Sequence, residues 1–179
     1  LPAVPSGAIL VSLSGAALEV NVSRHTRAII LSVVLAAGEA SRFGSPKQRN
    51  VLPGVTGREA WGFALETFRP AVRRAEARGV TICLEPLAPS ETNFINTAEE
   101  AIRFAHGLRS PHFQVILDVR AMSHEGKPIP QIIRESRGEF AYVHANDRNL
   151  KGPGFGAVDF RPIAAALREV GYDGVVSVE

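Results

Sequence analysis

The chain has 179 residues, 45% of them hydrophobic, with 20 basic and 18 acidic side chains and a formal charge of +2. That length supports one buried core in a single domain over residues 1–179, and the balanced charge argues against a nucleic-acid partner despite an isoelectric point of about 9.0. No apolar run is long enough to cross a bilayer, and a lone cysteine, Cys83, excludes an internal disulfide and suits a reducing, cytoplasmic setting.

Residues 1–22 carry the least pattern. Leu1–Gly7 lack both a basic n-region and an initiator Met, so the chain is expected to begin inside a longer protein. Ala8–Leu13 reads as a strand, with a turn at Gly15. Ser23 is placed to cap a helix over Arg24–Gly38, although the β-branched Ile29, Ile30, Val33 and Val34 keep a strand open for part of it. Ser45–Asn50 is a polar loop and Pro53-Gly54 a turn. Thr56 and Glu59 form a capping box for a helix running to about Arg78. Gly79 ends it, and Pro70 should bend it or split it in two.

Thr81–Leu84 then reads as a buried strand that ends in Glu85 and is stopped by Pro86, which has no N–H to donate. A second capping box, Thr97 with Glu100, opens a helix to about Leu108. Val115–Asp118 is the next strand. Pro128 and Pro130 precede a short helix over Gln131–Ser136, and Tyr142–His144 is a strand followed by a polar, glycine-rich loop over Asp147–Gly156. Pro162 fits the first turn of a helix to Val170, Gly171 stops it, and Val175–Glu179 is the last strand. Strand and helix alternate, which predicts a parallel sheet with right-handed crossovers.

Four of these strands end in a side chain able to bind a metal: Glu85, Asp118, His144 and Glu179. Their spacing of roughly thirty residues is about one βα unit of an eight-unit barrel, whose ligands bind at the carboxyl ends of the strands. A full barrel needs about 250 residues, so this reading implies a partial barrel, with N-terminal strands and the final helix missing. Three carboxylates and one imidazole suit Mn²⁺, Mg²⁺ or Co²⁺ better than a thiolate-type zinc site. A divalent ion would also relieve repulsion among the carboxylates. The competing reading is that these groups are salt-bridged or solvated.

Leu84-Glu85-Pro86, Glu91-Thr92-Asn93, Leu117-Asp118, Tyr142-Val143-His144, Gly171-Tyr172-Asp173-Gly174 and Ser177-Val178-Glu179 resemble, in order and spacing, the sugar phosphate isomerase/epimerase family. The resemblance runs from about Phe43 to Glu179. It implies a xylose isomerase-like (β/α)8 TIM barrel, present here as about its C-terminal half. It implies an isomerase or epimerase that moves a proton through an ene-diolate on a small sugar or hydroxy-carbonyl substrate. By the same resemblance Glu85, Asp118, His144 and Glu179 match the metal ligands, Glu85 and Glu179 the pair that moves protons on opposite faces of the substrate, and Glu91 a substrate contact. Lys151 falls near a substrate-facing basic position. Where family epimerases often carry a His, three residues after the Asp, this chain has Ala121, and His124 lies too far along to replace it and reads as a solvated loop histidine.

Asp147 reads either as a partner orienting His144 from behind or as a cap for its own loop. Gly152–Gly156 reads as a phosphate-binding nest or merely a tight loop. A homo-oligomer is left open. Three other functions compete. Leu35–Gly38 with Arg42-Phe43-Gly44 and Pro46-Lys47 resembles the phosphate-binding start of nucleotidyltransferases. An abasic-site endonuclease shares the barrel but calls for more metal ligands and a basic face. A barrel fragment without activity is the third.

Overall fold

The computed structural model describes residues 56–178 in full and, before them, the backbone of the strands at 11–13, 16–18, 22–23 and 29–33. β1 (Val11–Leu13) and β2 (Ala16–Leu18) form an antiparallel pair of their own. The main sheet has six strands in the order β3 (Val22–Ser23), β4 (Ile29–Val33), β5 (Val80–Leu84), β6 (Phe113–Asp118), β7 (Phe140–His144) and β8 (Val175–Ser177). From β4 to β8 every pairing is parallel and follows chain order; β3 alone runs antiparallel, at one edge. This is the parallel half-barrel that the βα rhythm predicts.

The helix expected over Arg24–Gly38 is corrected. Ile29–Val33 is a strand, in register with Val80–Leu84 from Ile29 opposite Val80 to Val33 opposite Leu84. Its β-branched residues prefer the pleat, and a parallel neighbour satisfies the backbone that a helix would otherwise have satisfied internally.

The helices are α1 (Gly57–Glu76), α2 (Ala98–Leu108), α3 (Val119–Met122), α4 (Ile129–Glu135) and α5 (Phe160–Glu169). Both capping boxes form, with the Thr56 and Thr97 hydroxyls accepting from the Glu59 and Glu100 amides and each glutamate returning to the cap backbone. Pro70 does not split α1. It sits on the exposed side, so the carbonyl it leaves unbonded faces water, while Phe68, Val72 and Ala75 hold the opposite side in the core.

The main core lies between helices and sheet. Phe68, Phe104 and Phe113 meet edge-on or tilted at 5.5–6.0 Å, and Trp61 packs against Phe104 at 5.2 Å. Such rings contribute about 0.5–1.5 kcal/mol per pair beyond their burial. Ile82, Leu84, Val115, Leu117 and Val143 point into this layer. The opposite, inner face of the sheet carries Cys83, Ile116 and Tyr142, with Ala141 and Val175 against them. Burial pushes the Cys83 thiol up to about 12, so it acts as a small apolar side chain.

The Gly171–Gly174 segment has a packing explanation. Gly171 takes φ +75°, and a Cβ at Gly174 would lie 2.6 Å from the Tyr172 phenol oxygen. That phenol donates to the carbonyl of Val175 at 2.7 Å, and its ring stacks on Phe140 at 4.9 Å. The segment therefore pins the start of β8 to β7.

Candidate metal centre

Side chains alternate across a strand, so Glu85 shares the inner face with Cys83, Asp118 with Ile116, and His144 with Tyr142. For His144 this depends on an irregularity. Val115 pairs with Phe140, yet Ile116 pairs with Tyr142, so β7 carries one extra residue at this point. Phe140 faces the helix layer, whereas the next two residues, Ala141 and Tyr142, both meet the inner cluster. The shift turns His144 to the inner side and sets it directly opposite Asp118.

The result is a compact cluster. Glu85, Asp118 and His144 each offer a donor atom, all within 4.8 Å of one another, and all three residues are buried. His144 Nδ1 lies 3.2 Å from Glu85 Oε1 and 3.7 Å from Asp118 Oδ2. Two buried carboxylates against one imidazole are costly without further positive charge. The donor set, two oxygens and one nitrogen, is one that a hard or borderline divalent cation accepts. The residues present therefore fit such an ion.

Neighbours hold these side chains in place. Asp118 Oδ1 caps α3 by accepting from the Ala121 amide at 3.0 Å. Its Oδ2 accepts from the Asn146 side chain at 2.9 Å. Sequence reasoning misses Asn146, although a residue two beyond His144 shares its face in an extended chain. The Tyr142 ring stands edge-on to the imidazole at 5.3 Å.

The remaining candidates fall elsewhere. Glu179 lies outside the described residues, as does the Leu35–Lys47 stretch. Glu91 sits in the loop after β5, where it accepts from the Ala88 amide at 3.3 Å and pairs with Arg120 at 3.0 Å. Arg120 is a second residue that sequence reasoning misses. Asp147 accepts from the Arg148 amide at 2.6 Å and from the Val158 amide at 2.9 Å, so of its two readings the loop cap is the one these bonds express. A Cβ at Gly156 would overlap the Asp147 carboxylate, which accounts for a glycine there by packing. Lys151 is exposed on the same loop, where its amide donates to Asn149 Oδ1 at 3.1 Å. His124 is exposed, in the loop after α3.

Residues 15–179 match the model of the xylose isomerase-like TIM barrel family. A D-psicose 3-epimerase of Ruminiclostridium cellulolyticum is 34% identical over 66% of this chain and 41% of its own length. An L-ribulose 3-epimerase of Mesorhizobium japonicum is 31% identical over 68% of this chain and 41% of its own. Among solved structures, a 3-keto-D-glucoside 4-epimerase of E. coli superposes with a TM-score of 0.71 at 26% identity, covering 83% of this chain and 55% of that one. The chain thus spans about two fifths of the length of the curated relatives it matches.

Proposed function

The chain belongs to the xylose isomerase-like TIM barrel family, among sugar isomerases and epimerases, and from that premise we propose that it carries the metal-binding half of a ketose epimerase. The observation that carries this reading is the convergence of Glu85, Asp118 and His144 at the carboxyl edge of parallel strands. Those three residues, with Glu179, would hold Mn²⁺, Mg²⁺ or Co²⁺. A bound divalent ion supplies Lewis-acid charge to a substrate carbonyl oxygen. Glu85 then takes the proton from the carbon beside that carbonyl, and Glu179 serves the opposite face of the sugar, which inverts the centre. Asn146 and the α3 amide keep Asp118 in one orientation throughout. Glu91 contacts the substrate away from the reacting carbon, and Lys151 would approach it from the loop after β7.

The substrate is a small ketose or hydroxy-carbonyl compound, and the balanced overall charge argues against a nucleic-acid partner. Among the described residues no helix is long and apolar enough to cross a membrane. A cytoplasmic setting, which would keep Cys83 reduced, belongs to the same reading.

The test is exchange of the substrate's α-proton with solvent, followed by NMR on the protein with its flanking sequence present. Exchange should require added Mn²⁺, Mg²⁺ or Co²⁺. Glu179→Gln should keep the ion but lose most of the exchange, because an amide coordinates through oxygen yet is no base. Metal-independent exchange, or full activity in Glu179→Gln, overturns the proposal.

A further inference from the structure

The four-residue turn α3 is built from one half-buried and three buried side chains. Val119, Ala121 and Met122 point into the protein, and only Arg120 leaves the turn toward solvent. Its backbone is fixed from the site side, because the carboxylate capping the turn is Asp118. Arg120 Nη1 meets Glu91 Oε2 at 3.0 Å, with each side chain about a quarter exposed. The loop carrying Glu91 is braced as firmly. The Asn96 side-chain amide donates to the carbonyls of Leu87 at 2.7 Å and Thr92 at 2.9 Å, and the Thr92 hydroxyl accepts from the Phe94 amide at 3.1 Å. An ion pair thus bridges the two loops that follow β5 and β6, the strands that deliver Glu85 and Asp118.

Resting on the epimerase reading, we propose that Arg120 is a specificity-determining residue: with Glu91 it forms a donor–acceptor pair that binds the hydroxyl groups of an uncharged sugar. The guanidinium has five N–H donors in a planar fork, and one of its nitrogens is committed to Glu91. A sugar hydroxyl both donates and accepts, so it can bridge the remaining donors and the carboxylate together. A phosphate only accepts at neutral pH and meets the Glu91 charge. The pair is formally neutral, so it offers no net attraction to a phosphorylated substrate. Both partners are held by their loops ahead of sugar binding, which lowers its ordering cost.

The test is calorimetry on the full chain in Mn²⁺ buffer, with a neutral ketohexose and its 6-phosphate as probes. The neutral sugar should bind more tightly than its phosphate ester. Arg120→Gln should weaken the neutral sugar about tenfold to a hundredfold, the worth of a charge-assisted hydrogen bond. Arg120→Lys should recover only part of this, lacking the fork. Glu91→Gln leaves the guanidinium uncompensated and should shift the preference toward the phosphate ester. A merely structural tie between the loops would not move that preference and would instead lower the melting temperature and Mn²⁺ affinity of every variant. Tighter binding of the ester by the unaltered chain, no sugar binding at all, or unchanged sugar affinity in Arg120→Gln overturns the proposal. The epimerase reading is judged separately, on metal-dependent proton exchange.

Discussion

Two carboxylate sites in this molecule, one buried and one half-buried, are built on opposite plans. At the inner edge of the sheet, Glu85 and Asp118 face one another across His144, with donor atoms from three strands drawn within 4.8 Å. In the helical layer, Glu125 stands apart from other ligand types and accepts one bond from the Ala98 amide, at the N-terminus of α2, at 3.0 Å. Burial pushes Glu125 up to about 7. The Ala98 amide and Lys127 pull it back only in part, and Glu100 and Glu99 add to the rise. Lys127 itself is drawn toward Glu135 at 2.7 Å, with Glu99 at 4.0 Å. A half-buried carboxylate with further acids nearby is relieved by taking up a proton, whereas a buried pair facing an imidazole can be relieved by a cation. Desolvation acts on both, and of the two only the strand-end arrangement brings carboxylates and an imidazole together as a candidate ligand set.

The strongest way to break this contrast is to remove a ligand. His144→Ala is expected to weaken Mn²⁺ binding more than about a hundredfold by calorimetry, while Glu125→Ala leaves it unchanged. Equal effects would show that the strand-end cluster is not the metal site. Next in size is Asn146→Ala, which frees Asp118 Oδ2 without touching a ligand. A loss of about tenfold to a hundredfold in Mn²⁺ affinity is expected, with an unchanged far-ultraviolet dichroism spectrum.

A third measurement addresses Glu125 alone. Its pKa in the fold, about 7, lies above the ordinary 4.5, so the folded state holds the proton more tightly than the unfolded one. The stability it lends is full below about 4.5 and is lost as pH rises through 7. Urea titrations should show Glu125→Gln flattening that decline, with a gain of roughly 1 kcal/mol at pH 8 after allowance for solvent screening. A mutant that keeps the full pH dependence would place its origin elsewhere. The smallest effect is expected for Lys127→Met. It should leave the melting temperature close to that of the parent while raising the Glu125 titration midpoint, read from the carboxyl carbon by NMR, because a nearby positive charge has gone.

Much of this architecture is legible in the amino-acid sequence. Strand, carboxylate and proline at Leu84-Glu85-Pro86 announce a strand end, and Thr56 and Thr97 announce both capping boxes. Local pattern fails where the deciding partner is distant. Ile29–Val33 looks helical or extended by composition alone, and only a parallel neighbour at Val80–Leu84 decides it. Arg120 and Asn146 are hidden for a related reason. Each acts through a residue 28 or 29 positions away, Asp118 for Asn146 and Glu91 for Arg120, and no periodicity in the chain records such a pairing. Asp147 has two readings that sequence cannot separate, since both need a carboxylate just after the strand.

The extra residue in β7 makes the candidate site depend on strand register, which composition does not record. An unbroken ladder from Val115 through all of Phe140–His144 would change no side chain and no charge, yet it would set Ala141 opposite Ile116 and Val143 opposite Asp118 and carry the imidazole to the helix side of the sheet. Deleting Ala141 would instead remove the irregularity and leave His144 opposite Asp118, so two sequences that differ by one residue at this place can present the histidine alike. For anyone grafting these strands onto another scaffold, the feature to copy is the pairing of His144 with Asp118, ahead of the residue count between Phe140 and His144.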